Sequence, residues 1–161
     1  MQFRAKPIAV FSALMTLMVA FCLSAGGASA QTAEAAAKER QAVMKSFGDW
    51  SKTLAASAKS GTADAATAKA ADDISAGMQK LPALFPAGSG LDKLPGSTRA
   101  KPEIWANFDK FQGYAKDGQA AFTQVATAAK SGDGAAVTAA FTKAAAVCSA
   151  CHKEFRGPEI K

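Results

Sequence analysis

Apolar residues recur along this chain at helical spacing. Val43, Phe47, Trp50 and Leu54 follow i, i+4, i+7, i+11 and make one stripe along a segment from about 34 to 59, closed by Ser60-Gly61. A second segment, about 62 to 81, puts Ile74, Met78 and Leu81 on one side after a mostly alanine first half. A third opens at Pro102, a residue suited to the first helical position. It carries Ile104, Phe108, Phe111, Ala115, Phe122 and Val125 on its buried face as far as Ser131-Gly132. A fourth, capped by Asp133, places Val137, Phe141, Ala144, Cys148, Cys151 and Phe155 on one face and stops near Arg156, before Gly157-Pro158. The stretch LPALFPAGSGLDKLPGSTRAK is rich in proline and glycine, which break helix. Its Leu81, Leu84, Phe85, Leu91 and Leu94 predict that it packs on the helices. Alternating runs are almost absent and alanine, the best helix former, dominates. The pattern therefore predicts an all-α fold: an antiparallel up-down-up-down four-helix bundle.

The first thirty residues fall outside that pattern. Arg4 and Lys6 precede an uncharged apolar run, and Ala28-Ser29-Ala30 fits the small-x-small rule for cleavage. Residues 1–30 read as a secretory signal and 31–161 as the mature domain, which points to the periplasm of a bacterium. A retained anchor would need this run to span a bilayer, and its length is borderline. Lipid attachment at Cys22 would want a small residue before it, where Phe21 stands. The net charge of +6 falls to about +4 when Arg4 and Lys6 leave. The basic residues are interleaved with acids and not with a stacking platform, so nucleic acid is not an expected partner.

Near the end, CSACH gathers two cysteines and the only histidine of the chain, at 148 to 152. On a helix Cys148, Cys151 and His152 stand at i, i+3 and i+4 and share the apolar face. A dithiol redox pair of the thioredoxin kind sits at a helix start after a strand, and no strand pattern precedes this one. Zinc wants about four ligands, and these residues supply three. Covalent haem uses all of them: each thiol adds to one porphyrin vinyl group, and the following histidine takes an axial position on iron. Export agrees with that chemistry. One haem c per chain is the expected cofactor.

The second axial position has two candidates in the mature chain, Met44 and Met78. Met44 lies beside the first apolar stripe, with Arg40 one turn before it. That face could present a thioether to iron and a guanidinium to a haem propionate. The same residues also fit a space-filling core methionine and an exposed helix pair, and spacing alone leaves both open.

The chain resembles the class II cytochromes c, the cytochrome c′ family, over nearly the whole mature segment. Glu39-Arg40-Gln41 followed by Met44 resembles the family's first-helix motif. Lys101-Pro102-Glu103-Ile104-Trp105 is similar to its third-helix opening, and Cys148 to Arg156 to its haem-binding end. The resemblance implies that Arg40 and Gln41 lie against the haem and that Trp105 and Phe155 pack near it. One branch of the family shields an empty iron face with a bulky apolar residue and binds nitric oxide or carbon monoxide. The other, low-spin branch ligates iron with a methionine at the position of Met44. The expectation is therefore the second: a non-enzymatic carrier of single electrons with His152/Met44 ligation, the gas-binding protein being the alternative. Expected partners are redox proteins, which Lys153, Arg156 and Lys161 could dock, and a second copy in a homodimer.

Overall fold

The computed structural model describes residues 32–160; the signal segment and cleavage point expected at residues 1–30 lie outside them. The chain forms α1 (Ala33–Ser60), α2 (Ala65–Lys80), a 3₁₀ turn (Leu81–Leu84), α3 (Glu103–Ala106), α4 (Phe108–Lys130) and α5 (Gly134–Phe155). No strand occurs among the described residues; Ala100 and Arg156 make one isolated antiparallel bridge. The expected all-α four-helix bundle is what is found, with α2 against α4, α4 against α5, and α1 against both α2 and α5.

Three of the long helices start on side-chain caps. The oxygens of Thr32, Asp64 and Asp133 accept from the N–H groups of Ala35, Thr67 and Ala136, donors that would otherwise lack a partner. Asp64 therefore starts α2 at Ala65, three residues later than the start expected at about 62. α1 ends at Gly61, whose φ of 69° turns the chain in the left-handed region and lets its N–H reach Ser57 O. The third predicted helix is broken. Asn107 (φ −132°, ψ 49°) separates the single turn α3 from α4. The break turns Trp105 onto the 81–101 connection, where its indole N–H donates to Phe85 O, while Phe111 still faces the core.

The core is continuous through all four long helices. Phe47, Leu54, Ile74, Phe122, Val125, Val137 and Phe155 are buried and in contact as one cluster. Val43, Trp50, Phe108 and Phe141, expected on buried faces, pack on it half-exposed. The connection packs as predicted, with Leu81 and Phe85 buried and Leu84, Leu91 and Leu94 half-buried. α1 and α5 run antiparallel. Their joined end is set by Gly134, whose backbone lies so close to the Gly61 carbonyl that any side chain there would collide with it. Thr138 Oγ1 donates to Ala58 O at 2.9 Å in the same place. This registry brings the start of α1 beside the end of α5 at the other end of the bundle.

Two measurements check this fold. Phe122→Ala empties a site that is 1% exposed and is expected to lower unfolding free energy by about 3–5 kcal/mol in a urea titration followed by circular dichroism. The Asp64 carboxyl is held below its ordinary range by the Thr67 N–H and hydroxyl. Its contribution is complete above the unfolded carboxyl value of about 3.9 and is lost as pH falls through the lower native value. Asp64→Asn keeps a capping oxygen and removes the titration. The stability difference between the two proteins should hold from neutral pH down to that range and change only below it.

Candidate functional site

The site begins with a charge buried by α1. Arg40 is 4% exposed. One guanidinium nitrogen donates to Leu84 O at 3.0 Å and Ser89 Oγ at 2.7 Å, the other to Ser89 O at 2.6 Å and Thr98 Oγ1 at 2.9 Å. Its plane lies over the Phe85 ring, 4.5 Å from the centroid. Desolvation lowers its pKa to about 10, so it stays charged at neutral pH. These four acceptors are neutral. Gln41 adds a further tie, donating to Ser97 O at 2.6 Å. Two adjacent side chains of α1 thus pin the connection at Leu84, Ser89, Ser97 and Thr98.

The connection's far end is pinned to α5. Lys101 N–H donates to Phe155 O at 3.0 Å, Gly157 N–H to Arg99 O at 2.7 Å, and Lys101 Nζ to Glu154 O at 2.8 Å. The Glu154 carboxylate takes Lys110 Nζ at 2.7 Å and the Tyr114 hydroxyl at 3.3 Å. The last turn of α5, which carries Cys151 and His152, is therefore fastened from both the connection and α4.

Between these anchors lies a cavity of about 350 Å³. Leu81, Phe85, Ile104, Phe111 and Phe155 supply its apolar walls, and Phe111 meets Phe85 and Phe155 edge-on at 4.5 and 5.6 Å. Met44 lines it from α1, Cys151 and His152 from α5. Arg40, Arg99 and Arg156 also line it, and no carboxylate does among the described residues. The predicted residues Arg40, Gln41, Met44, Cys151, His152 and Phe155 are thus brought together. Trp105 stands outside, behind Phe85 and against Gly90, and Cys148 sits one turn up α5, half-buried on the core. Met78 is elsewhere: it is buried against Gly118, in the α2–α4 interface.

Both thiols are free and half-buried. Burial raises the pKa of Cys148 and, with the charges of Cys148 and Glu154, pushes Cys151 up to about 11. Burial first, then Arg156 and Arg99, lowers that of His152, which keeps the imidazole neutral and able to donate a lone pair at neutral pH. No group of three or more His, Cys, Asp or Glu side chains gathers among the described residues, so the pair has no zinc donor set around it. What the site offers is two thiols, a neutral imidazole, a thioether, apolar walls and three guanidinium groups, of which Arg99 meets the exposed Glu159 carboxylate at 4.0 Å. That set fits a flat apolar iron porphyrin with an anionic edge.

Arg99, Leu81, Ile104, Phe111 and Ile160 are cavity residues that the pattern did not single out for the site. Nothing in the sequence around Arg99 marks it, because its place depends on how the connection folds back.

The chain matches the family model described as Cytochrome C′ over residues 35–156. It is 37% identical over 131 residues to a cytochrome c′ of Rhodospirillum rubrum, covering 79% of this chain and 86% of the relative. A solved cytochrome c′ with ligand-controlled dimer dissociation is 26% identical, covers 79% of this chain and 98% of its own, and superposes with a TM-score of 0.69. The nitric oxide complex of a cytochrome c′ variant from Alcaligenes xylosoxidans is 25% identical over 79% of this chain and 98% of its own, with a TM-score of 0.68.

Arg40→Ala strands acceptors at Leu84 and Ser89 and is expected to cost on the order of 3 kcal/mol in urea unfolding. Arg40→Lys keeps the charge but not the fork and should recover only part of that loss.

Proposed function

The chain belongs to the cytochrome c′ family, and on that premise we propose that it is an exported protein that binds nitric oxide or carbon monoxide at one covalently held haem. The family's proteins carry a single haem c with iron and act as electron-carrying or ligand-binding haem proteins. When bound, the group supplies an iron that changes charge by one electron and can take a diatomic molecule. Everything else is the work of this chain's side chains.

Cys148 and Cys151, one turn apart on α5, tether the porphyrin through two thioether bonds. His152 holds the iron from α5, and its lowered pKa favours the neutral ligating form. Arg40, already fixed by four neutral acceptors, gives a propionate the cation it needs in a desolvated place. Leu81, Ile104, Phe85 and Phe111 exclude water from the cavity. Gln41 spends one amide N–H on Ser97 O, and Arg40 donates to the connection. The apolar group that α1 offers a bound gas is the Met44 side chain, which suits carbon monoxide and nitric oxide better than ligands that need a hydrogen-bond donor.

This departs from the expectation of His152/Met44 ligation. The observation that carries it is the company the chain keeps: cytochromes c′, one of them solved with nitric oxide. Met44 becomes, in this reading, the residue that shields the sixth position. One observation favours a second reading: Met44 lines the same cavity as His152. A thioether ligand would saturate the iron and make the protein a pure electron carrier.

The signal-like residues 1–30 and the oxidising chemistry of haem c attachment support export to the periplasm, with residues 31–161 as the working domain. The protein acts by binding, not by turning over a substrate. Redox partner proteins and a homodimer belong to the same proposal, the latter supported by the dimeric relative.

The optical spectrum decides between the two readings. A high-spin wild type that takes up carbon monoxide when reduced, and still does so as Met44→Leu, is the expected result. A low-spin wild type with a sulfur-to-iron band that Met44→Ala abolishes would sink it in favour of the electron carrier.

A further inference from the structure

Only one large apolar side chain is exposed among the described residues: Ile160, 45% exposed. A lone exposed isoleucine on a featureless surface needs no explanation. This one lines the cavity that holds Cys151, His152 and Met44, and the backbone leading to it is held in place. α5 ends at Phe155. The next residues run antiparallel to Arg99–Lys101, with Ala100 and Arg156 bridged. Gly157 donates to Arg99 O at 2.7 Å, and Arg99 Nε returns a bond to Gly157 O at 2.9 Å. Leu91 donates in turn to Ala100 O at 2.8 Å, so the pairing rests on a third layer of chain. Gly157 is buried, and a Cβ there would stand 2.7 Å from Leu91 Cδ2 and 3.3 Å from Arg99 O. A side chain there must displace the Leu91 methyl and crowd the Arg99 carbonyl that the Gly157 N–H pairs with. Pro158 follows at once and limits the backbone further.

We propose that Gly157–Ile160 is a strap, clipped to Arg99–Lys101, that lays Ile160 over the mouth of the haem cavity and keeps water off the group bound there. The proposal rests on the haem reading above and assigns Ile160 a place in the site. An apolar side chain at the rim of an apolar cavity has no partner until the cavity is filled. With a porphyrin beneath it, its exposure falls and the local dielectric drops. A drier shell disfavours the more highly charged ferric form, so the strap holds the reduction potential up. It also stands in the way of small reductants approaching from solvent. Ile160 is a positioning residue: it acts on the surroundings of the iron and not on the iron itself.

The test uses the haem-loaded protein and three variants, Ile160→Gln, Ile160→Leu and Gly157→Val. Midpoint potential, the rate of reduction by dithionite, and amide hydrogen exchange at Lys101 and Gly157 are read for each. Ile160→Gln should lower the potential and speed reduction several-fold while leaving exchange at the two amides unchanged. Ile160→Leu should restore wild-type values. Gly157→Val should speed exchange and reduction together, since it lifts the clip. A haem protein with a normal spectrum whose potential and reduction rate ignore both Ile160→Gln and Gly157→Val overturns the strap and leaves the haem reading standing. A wild type with no haem absorption overturns the haem reading itself, and the strap with it.

Discussion

Burying a guanidinium is costly unless its donors are met, and α1 buries Arg40 almost completely. The chain meets those donors with the connection between α2 and α4: two carbonyls and two hydroxyls converge on two nitrogens, with Phe85 stacked beneath. A connection of this composition would otherwise have many conformations. Arg40 selects one, and in doing so brings Thr98, Arg99 and Ala100 to the end of α5. The walls of the cavity, the bridge at Arg156 and the course of the strap all follow from that choice.

The neutral character of Arg40's acceptors matters for chemistry as well as for folding. A carboxylate partner would cancel the charge inside the protein. Hydroxyls and carbonyls hold the group in place and leave its charge available to a ligand. Arg99 and Arg156 add to the same sign around His152, where they help keep the imidazole neutral. Among the described residues the lining is therefore positively charged before any cofactor arrives and contains no acid, while Glu159 reaches Arg99 at 4.0 Å. Glu154, the nearby acid, is turned away by Lys110 and Tyr114 and serves to fasten the last turn of α5.

Met44 shows why residue identity is a weaker guide to coordination than it first looks. A methionine one turn after Arg40 can ligate iron or can fill the space above it, and both uses put sulfur in the same cavity. The difference between them is a small balance of ligand-bond strength against side-chain packing, which the type of residue does not encode. The family to which the chain belongs is one of haem proteins that carry electrons or bind ligands, and the fold places Met44 in the same cavity as His152.

Helical periodicity, the Asp133 cap and the proline-glycine connection were legible in the sequence because each depends on local contacts, while the Thr32 and Asp64 caps came only with the structure. So was the cofactor type, since CSACH carries the thiols and the imidazole at adjacent helical positions whatever the rest of the chain does. The break at Asn107 was not legible: Pro102 and the apolar spacing read as one helix, and only the pull of Trp105 onto Phe85 O interrupts it. The partners of Arg40 could not be read either. Ser89 and Thr98 lie 49 and 58 residues away in sequence, on a connection without periodicity. Met44 and Met78 were equal candidates by chemistry, and the antiparallel pairing of α1 with α5 separated them by placing one beside His152 and the other against Gly118. The sequence by itself determined the four long helices and their order, and it set two thiols and the imidazole within one helical turn, because backbone preference and chain adjacency act over a few neighbouring positions. The tertiary structure decided which distant groups share the cavity, because burial of one charge and the meeting of Gly61 with Gly134 set the registry of whole helices.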